Sequence, residues 1–296
     1  MSSGNVKNGS HDFFWLASYP KSGNTWFRIF LTSLFNGENT PLDINSLGHG
    51  QVPNLRRILD ELNGFDSVDL SFDELNCIRT EGLRWLSQTN QSNVYYKTHA
   101  AYTYNQNNRP VLGGRCDGIA GALYFIRNPL DVCISYAHHA GVSVDKSIEV
   151  LANGELKSQS LHGNIHIPED VLCWSQNVKS WLSTEDLAVT VIRYEDMLVE
   201  PMTTFSKACE FLNIDTDSKQ IQRALVSCSF ENLQKQEQVS AFVEKPARSP
   251  NFFRKGIAGD WQNTLNTEQI DKIVDRHGSM MKQFGYLTEH GVPKVS

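Results

Sequence analysis

The chain has 296 residues, of which 40% are hydrophobic and 10% aromatic, and a formal net charge of −6. That is enough apolar side chain for one large packed domain, and it excludes an intrinsically disordered chain. The acidic balance argues against broad electrostatic binding to nucleic acid but leaves room for a local cationic pocket.

Met1 to Asp12 is polar and lacks the apolar core of a signal peptide, so residues 1–12 are expected to be a disordered tail before a domain spanning 13–290. Phe13-Phe14-Trp15-Leu16-Ala17-Ser18 reads as a buried strand. Trp26, Phe27, Phe30, Leu31 and Leu34 then fit one face of a helix. Between them lies Tyr19-Pro20-Lys21-Ser22-Gly23-Asn24-Thr25. A strand, a tight turn and a helix start make an anion cradle, because unpaired N–H groups and the helix dipole point at the ligand. Lys21 adds a charge, Gly23 allows close backbone approach, and Ser22 and Thr25 add hydroxyls. Lys21 precedes Gly23 and no upstream glycine stands at the required spacing, so this is not the ATPase loop. A purely structural strand-to-helix turn is the plainer alternative.

Gly37 to Pro41 is a turn cluster, and helices are expected near Pro53–Leu62 and Asp73–Ser87. Val94-Tyr95-Tyr96-Lys97 is a short strand candidate, and period two puts Lys97 and His99 on one side. A lone His is usually structural, but one beside a Lys at a strand end is a general-base candidate. Ala120–Ile126 reads as a second buried strand that ends at Arg127-Asn128-Pro129-Leu130-Asp131-Val132. Pro129–His139 forms the next helix, carrying Ser135. Arg127 suits a bidentate phosphate contact, or a simple clasp to Asp131.

Residues 141–168 read as a long excursion outside the core. Val171–Trp181 is an amphipathic helix and Leu187–Arg193 a third strong strand. Helices at Met202–Leu212 and Lys219–Cys228 precede a polar stretch and a last helix near Thr267–Phe284. Within that stretch, Phe253-Arg254-Lys255-Gly256-Ile257-Ala258-Gly259-Asp260-Trp261 joins two cations to two glycines. It is a second phosphate clamp or, more plainly, a solvated charge pair.

Alternating strands and helices predict an α/β fold: a single domain with a central, mostly parallel sheet flanked by helices and a P-loop-like strand-turn-helix phosphate site. Ligands then bind beyond the carboxyl ends of the strands. Six cysteines without a C-x-x-C pair read as reduced thiols, not a disulfide frame or zinc site. No apolar run approaches the ~20 residues that span a bilayer. A soluble, intracellular protein without a membrane anchor is expected.

The runs Tyr-Pro-Lys-Ser-Gly-Asn-Thr-Trp, Arg-Asn-Pro-Leu-Asp-Val with its later Ser, and Arg-Lys-Gly-Ile-Ala-Gly-Asp-Trp resemble the three signature motifs of cytosolic-type sulfotransferases. Lys97-Thr98-His99 and Arg193-Tyr194-Glu195-Asp196 match two further landmarks of that family, and all five stand in its order. The resemblance implies transfer of sulfonate from 3′-phosphoadenosine-5′-phosphosulfate (PAPS) to an acceptor hydroxyl, leaving adenosine 3′,5′-bisphosphate (PAP). It implies Lys21, Ser22, Gly23, Asn24 and Thr25 at the 5′-phosphosulfate and Trp26 on the adenine. Arg127, Ser135, Arg254, Lys255 and Gly256 would grip the 3′-phosphate, with Tyr194, Ser229 and Phe230 along the nucleotide. His99 would be the base, Lys21 would act on the leaving oxygen, Lys97 on the sulfonate, and Ser135 would restrain Lys21. No metal is implied.

There are departures from the family pattern. Asn24 replaces the usual Thr, Cys228 stands where Thr is common, and the Lys-and-Glu dimer motif is not recognisable after Trp261. A homodimer through that surface is therefore an open question. The rival classes are a nucleotide-binding, kinase-like enzyme and a catalytically silent PAPS-binding protein. The acceptor is expected to be a small-molecule hydroxyl and not nucleic acid, with its pocket built from Leu42–Gln91, Tyr102–Gly118 and Gly141–Pro168. Phe65, Tyr102 and Tyr104 are its candidate aromatics.

Overall fold

The computed structural model describes residues 12–38, 40–53, 55–154, 156–158 and 167–295. Of the expected N-terminal tail, all but Asp12 lies outside the described residues. Strand β1 (Phe13–Ser18) leads through the first loop into helix α1 (Asn24–Asn36). Helices α2 (Leu55–Asn63) and α3 (Phe72–Thr89) follow, α3 opening at a Ser71/Glu74 capping box. Strand β2 (Val94–Thr98) and strand β3 (Ile119–Ile126) bracket a long connection. Helix α4 (Pro129–Ala140) starts with Pro129 and is capped by the Asn128 side chain.

Next comes helix α5 (Val144–Asn153), within the segment read from the sequence as an excursion outside the core. Ser143 caps it, and Ser147, Ile148 and Leu151 are buried. Val144, Ile148 and Leu151 do stand at helical spacing, but over only two turns and between polar neighbours. Two-residue strands β4 (Lys157–Ser158) and β5 (Glu169–Asp170) pair antiparallel. Helix α6 (Trp174–Leu182) begins three residues later than expected, since Leu172 takes a positive φ of 60° that no helix accepts.

Strand β6 (Ala188–Arg193) runs directly into helix α7 (Tyr194–Val199), followed by α8 (Pro201–Phe211) and α9 (Ser218–Ser227). The polar stretch after Cys228 contains helix α10 (Phe230–Val239), in which Leu233 alone is buried, so its amphipathic signal is faint. Helices α11 (Trp261–Thr264) and α12 (Thr267–Gln283) close the fold.

The sheet has four strands in the order β2-β1-β3-β6, and every pair is parallel. Phe13, Trp15, Ala17, Ala122, Tyr124 and Ile126 pack into one core, whereas Phe14, Leu16, Leu123, Phe125 and Ile192 pack into the other. Strands covered on both faces need no polar alternation, so they read as continuous apolar runs. Phe27, Phe30 and Phe205, from α1 and α8, fill the second core; Leu59, Leu83, Trp174 and Trp181, from α2, α3 and α6, fill the first.

Beyond its pairing with β1, β2 is covered on its outer edge by an irregular segment. Gly50 N–H donates to Tyr95 O at 2.8 Å, and Lys97 N–H donates to Gln51 O at 3.0 Å. All four strands point their carboxyl ends the same way, toward the first loop, Lys97–His99, Arg127 and Tyr194.

Candidate active site

The first loop turns twice through left-handed backbone, at Lys21 (φ 70°) and Gly23 (φ 99°). Such alternation turns successive N–H groups to one side, and α1 starts with no side-chain cap among the described residues. A Cβ on Gly23 would lie 2.7 Å from the Tyr194 ring, so Tyr194 closes over the loop only because that residue is glycine. The buried Ser22 hydroxyl has no partner among the described residues. Asn24 turns inward, its amide donating to Leu16 O (2.8 Å) and Ser18 Oγ (3.3 Å), so only its backbone is left for an anion. Thr25 and Trp26 face the cleft, and Trp26 Nε1 donates to Cys228 O at 3.0 Å.

Arg127 reaches across the strand ends. Its Nη1 donates to Lys21 O (3.3 Å) and Nη2 to Ile257 O (2.9 Å), and the guanidinium lies 4.2 Å from the Tyr194 ring centre. Its Nε is buried without a partner among the described residues. No hydrogen bond joins it to Asp131. That carboxylate instead accepts from Gly259 N–H (2.7 Å) and Trp261 N–H (3.1 Å), fastening the C-terminal motif to α4. Arg254 and Lys255 both hold Asp260, at 2.6 and 2.5 Å. Gly256 has φ 63°, and a Cβ there would fall 2.3 Å from Phe230 at the start of α10. Ser229, at the N-cap of α10, and Phe230 line the same cleft.

Lys97, near the end of β2, and His99, just beyond it, stand close to the end of β1. Nδ1 of His99 lies 2.8 Å from Ser18 O, a carbonyl that can only accept, so Nδ1 carries the proton and Nε2 the lone pair. Asn177 of α6 donates to His99 O at 3.0 Å and fixes its backbone. Burial, then the neighbouring Lys97 charge, pushes the imidazole down to about 3, which keeps it neutral. Lys21 is likewise pushed down to about 7, by burial first and then by Lys97 and Arg127. Its amine lies 3.2 Å from His139 Nδ1 and 4.3 Å from the Phe252 ring centre. Ser135 lines the cleft one turn before His139 on α4.

Apart from Ser22, the site residues expected from the sequence all border one cleft of about 1470 Å³. A single small ligand ordinarily fills roughly 300–1,000 Å³, so the space suits two molecules side by side.

The profile of the Sulfotransferase domain family matches residues 11–285. The chain belongs to that family.

Among similar proteins, flavonol 3-sulfotransferase of Flaveria bidentis is 27% identical, over 92% of this chain and 82% of its own length. Cytosolic sulfotransferase 10 of Arabidopsis thaliana is 26% identical, over 87% of this chain and 74% of its own. A crystal structure of retinol dehydratase in a complex with retinol and PAP overlays with a TM-score of 0.59 at 19% identity, covering 91% of this chain and 81% of that one. The last shows the shared fold. The protein is a PAPS-dependent sulfotransferase, and its reaction moves a sulfonate group.

The sulfotransferase cleft fits an anionic nucleotide on its own evidence. The uncapped helix start and the Arg127 Nε, which has no partner among the described residues, are donors at the cleft awaiting acceptors. Among the described residues no cluster of His, Cys, Asp and Glu could hold a metal ion. No helix there is long and apolar enough to cross a membrane.

The expected acceptor aromatics are not in this cleft. Tyr102 is buried and donates to Gly113 O, Tyr104 pairs with Asp186, and Phe65 lies outside the lining. Tyr102–Gly118 instead packs behind the sheet, against Trp15 and Trp181. The lining includes Asn45, Leu47, Gln51 and Val52 from one segment and Leu156, Ile167 and Val171 from another. Among the bordering residues that sequence reasoning missed are Arg28, His139, Glu244 and Phe252. Arg28 follows Asn24 by one helical turn and Phe252 sits just before the C-terminal motif, so both had a positional signal. Glu244 had none.

Proposed function

We propose that this sulfotransferase transfers sulfonate from PAPS to a hydroxyl of a small-molecule acceptor by direct in-line displacement, with His99 as the base. The observation that carries the reading is the His99 tautomer. Ser18 O takes the Nδ1 proton, which leaves the neutral Nε2 lone pair for an acceptor hydroxyl at the end of the cleft. A neutral hydroxyl is a poor nucleophile, so removing its proton as it attacks is the step that most needs help. Residues 13–290 act as one catalytic domain on this reading.

The donor supplies an activated S–O bond whose rupture leaves PAP. Lys21 to Trp26 hold its 5′ end, and Arg127, Ser135, Arg254, Lys255 and Gly256 hold the 3′-phosphate. Tyr194, Ser229 and Phe230 flank the nucleotide. Lys21 meets the negative charge that develops on the leaving oxygen, and Lys97 meets the sulfonate oxygens. Anions in the cleft also offset the cationic neighbours that depress His99, raising its basicity when both substrates are present. Apolar Leu47, Val52, Leu156 and Ile167 favour an acceptor with an apolar body, in keeping with the flavonol in one relative's name. We place the reaction in the cytoplasm on the likeness to a cytosolic relative.

Calorimetric titration with PAP against ADP, in chelator, tests the reading. PAP should bind far more tightly, because only PAP carries the 3′-phosphate. Equal affinity would mean that Arg127 and Arg254 do not read that group, and the proposal would fall.

A further inference from the structure

Arg28 is 3% exposed, yet its guanidinium ends at the acceptor side of the cleft. There Nη2 and Nη1 donate to the two carboxylate oxygens of Glu244 at 2.8 and 3.0 Å. The fold makes room for this arm. Gly50 has φ 72°, and a Cβ on it would lie 2.5 Å from Arg28 Cγ. Glu244 stands on the loop between α10 and the Arg254–Gly256 motif, and its carboxylate also faces Lys97 Nζ at 3.7 Å. Among the described residues it is the one carboxylate within ion-pair distance of Lys97.

A forked arginine–carboxylate pair is the most geometrically restrictive ion pair a protein builds. Burying an arginine to make it is a poor route to stability alone, since apolar side chains of similar volume do as well. The pair fixes instead where a negative charge stands. Although burial works the other way, Lys97 and the Arg28 bonds hold the Glu244 carboxyl down at about 2, so it stays ionised.

We infer that Glu244 is a positioning residue for sulfonate transfer: clamped by Arg28, its carboxylate sets the Lys97 ammonium beside His99 and aims it at the group in flight. This rests on the roles proposed above for Lys97 and His99. The charged and titratable groups facing Lys97 are Glu244, Arg28 on α1, Glu169 on β5, Lys21 in the first loop, and His99 and His139. Burial favours loss of the Lys97 proton most, and Arg28 adds to it; Glu244 is the leading group that keeps it on. Glu244 thus holds Lys97 both in place and in charge.

The test follows the Lys97 amine by lysine-selective nitrogen NMR on the full chain, with the signal assigned through K97R. In E244Q, which keeps the shape and loses the charge, the Lys97 midpoint should fall by about one to three units. E244D should recover most of that shift, and both variants should bind PAP as the wild type does. Cleavage of PAPS with water as acceptor supplies the second readout, which needs no identified acceptor. E244Q should cleave at least about tenfold more slowly, and K97A/E244Q no more slowly than K97A alone. An unmoved Lys97 midpoint, or effects that multiply in the double variant, would overturn the positioning role. K97A cleaving like the wild type would instead remove Lys97 from the mechanism, and the role of Glu244 with it.

Discussion

Raising the pH from 7 to 9 should weaken PAP binding by about 50-fold, and the loss should trace to Lys21. In the empty cleft burial, then Lys97 and Arg127, hold the Lys21 amine down at about 7. A 5′-phosphate in the first loop supplies the negative charge that this amine lacks, so in the complex the amine should stay protonated across this range. A cation whose pKa is raised by binding contributes affinity that is complete below the free value and is lost as pH rises above it. About half of the free protein carries the proton at pH 7 and about one molecule in a hundred at pH 9, and the ratio gives the 50-fold. Calorimetry at pH 7, 8 and 9, in buffers of different ionisation enthalpy, should show uptake rising from about half a proton to about one per PAP bound. Lys21→Arg, whose charge cannot be titrated away, should bind with a flat profile. A flat profile in the wild type, with no proton uptake, would refute the reasoning.

His99→Ala should cut sulfonate transfer by about 10²–10⁴-fold while PAP affinity holds, and PAP release measures the first. Gly256→Ala must accept both φ 63° and a Cβ 2.3 Å from Phe230, so PAP should bind about tenfold more weakly or worse, by the same calorimetry. Asp131→Ala leaves the Gly259 and Trp261 N–H groups without their acceptor, at about 1–3 kcal/mol each. Its melting temperature should drop, and an unchanged one would mean that those N–H groups find water. Arg127→Lys cannot bridge Lys21 O and Ile257 O with one ammonium, so the preference for PAP over ADP should shrink.

The gathering of the residues proposed for the donor was legible in the sequence because they sit in short runs at strand ends. Lys21 to Trp26, Arg127 and Arg254 to Gly256 are each contiguous with an apolar strand or flanked by glycine, and the fold brings them to one cleft. The sheet was legible for a related reason, since β1 and β3 are apolar on both faces. Short or lightly buried helices were not. α10 buries Leu233 alone, α7 spans only Tyr194–Val199, and the helical spacing of Val144, Ile148 and Leu151 in α5 runs for only two turns. Of the segments expected to build the acceptor pocket, Leu42–Gln91 and Gly141–Pro168 do reach the cleft, but Tyr102–Gly118 and the aromatics were misread, because aromatic content in a segment says nothing of which way it packs. Tyr102 turned inward to Gly113, whereas Gln51, Val52 and Ile167, unremarkable in sequence, face the cleft. Asn24 shows the same limit at one side chain: its amide is taken up by Leu16 O and Ser18 Oγ.

The cover over the outer edge of β2 ties acceptor choice to solubility. An uncovered edge strand is a template for intermolecular pairing, and natural sheets blunt, charge or cover such edges. Here Gly50 and Gln51 make the cover, while Gln51 and Val52 in the same segment line the cleft. Redesign of this wall for a bulkier acceptor would loosen the two hydrogen bonds that shield Tyr95 and Lys97. Variants selected at positions 45–52 for new acceptors should therefore include many that lose yield through aggregation while their donor site stays intact. Libraries directed at Leu156, Ile167 and Val171, which make neither of those hydrogen bonds, carry no such penalty.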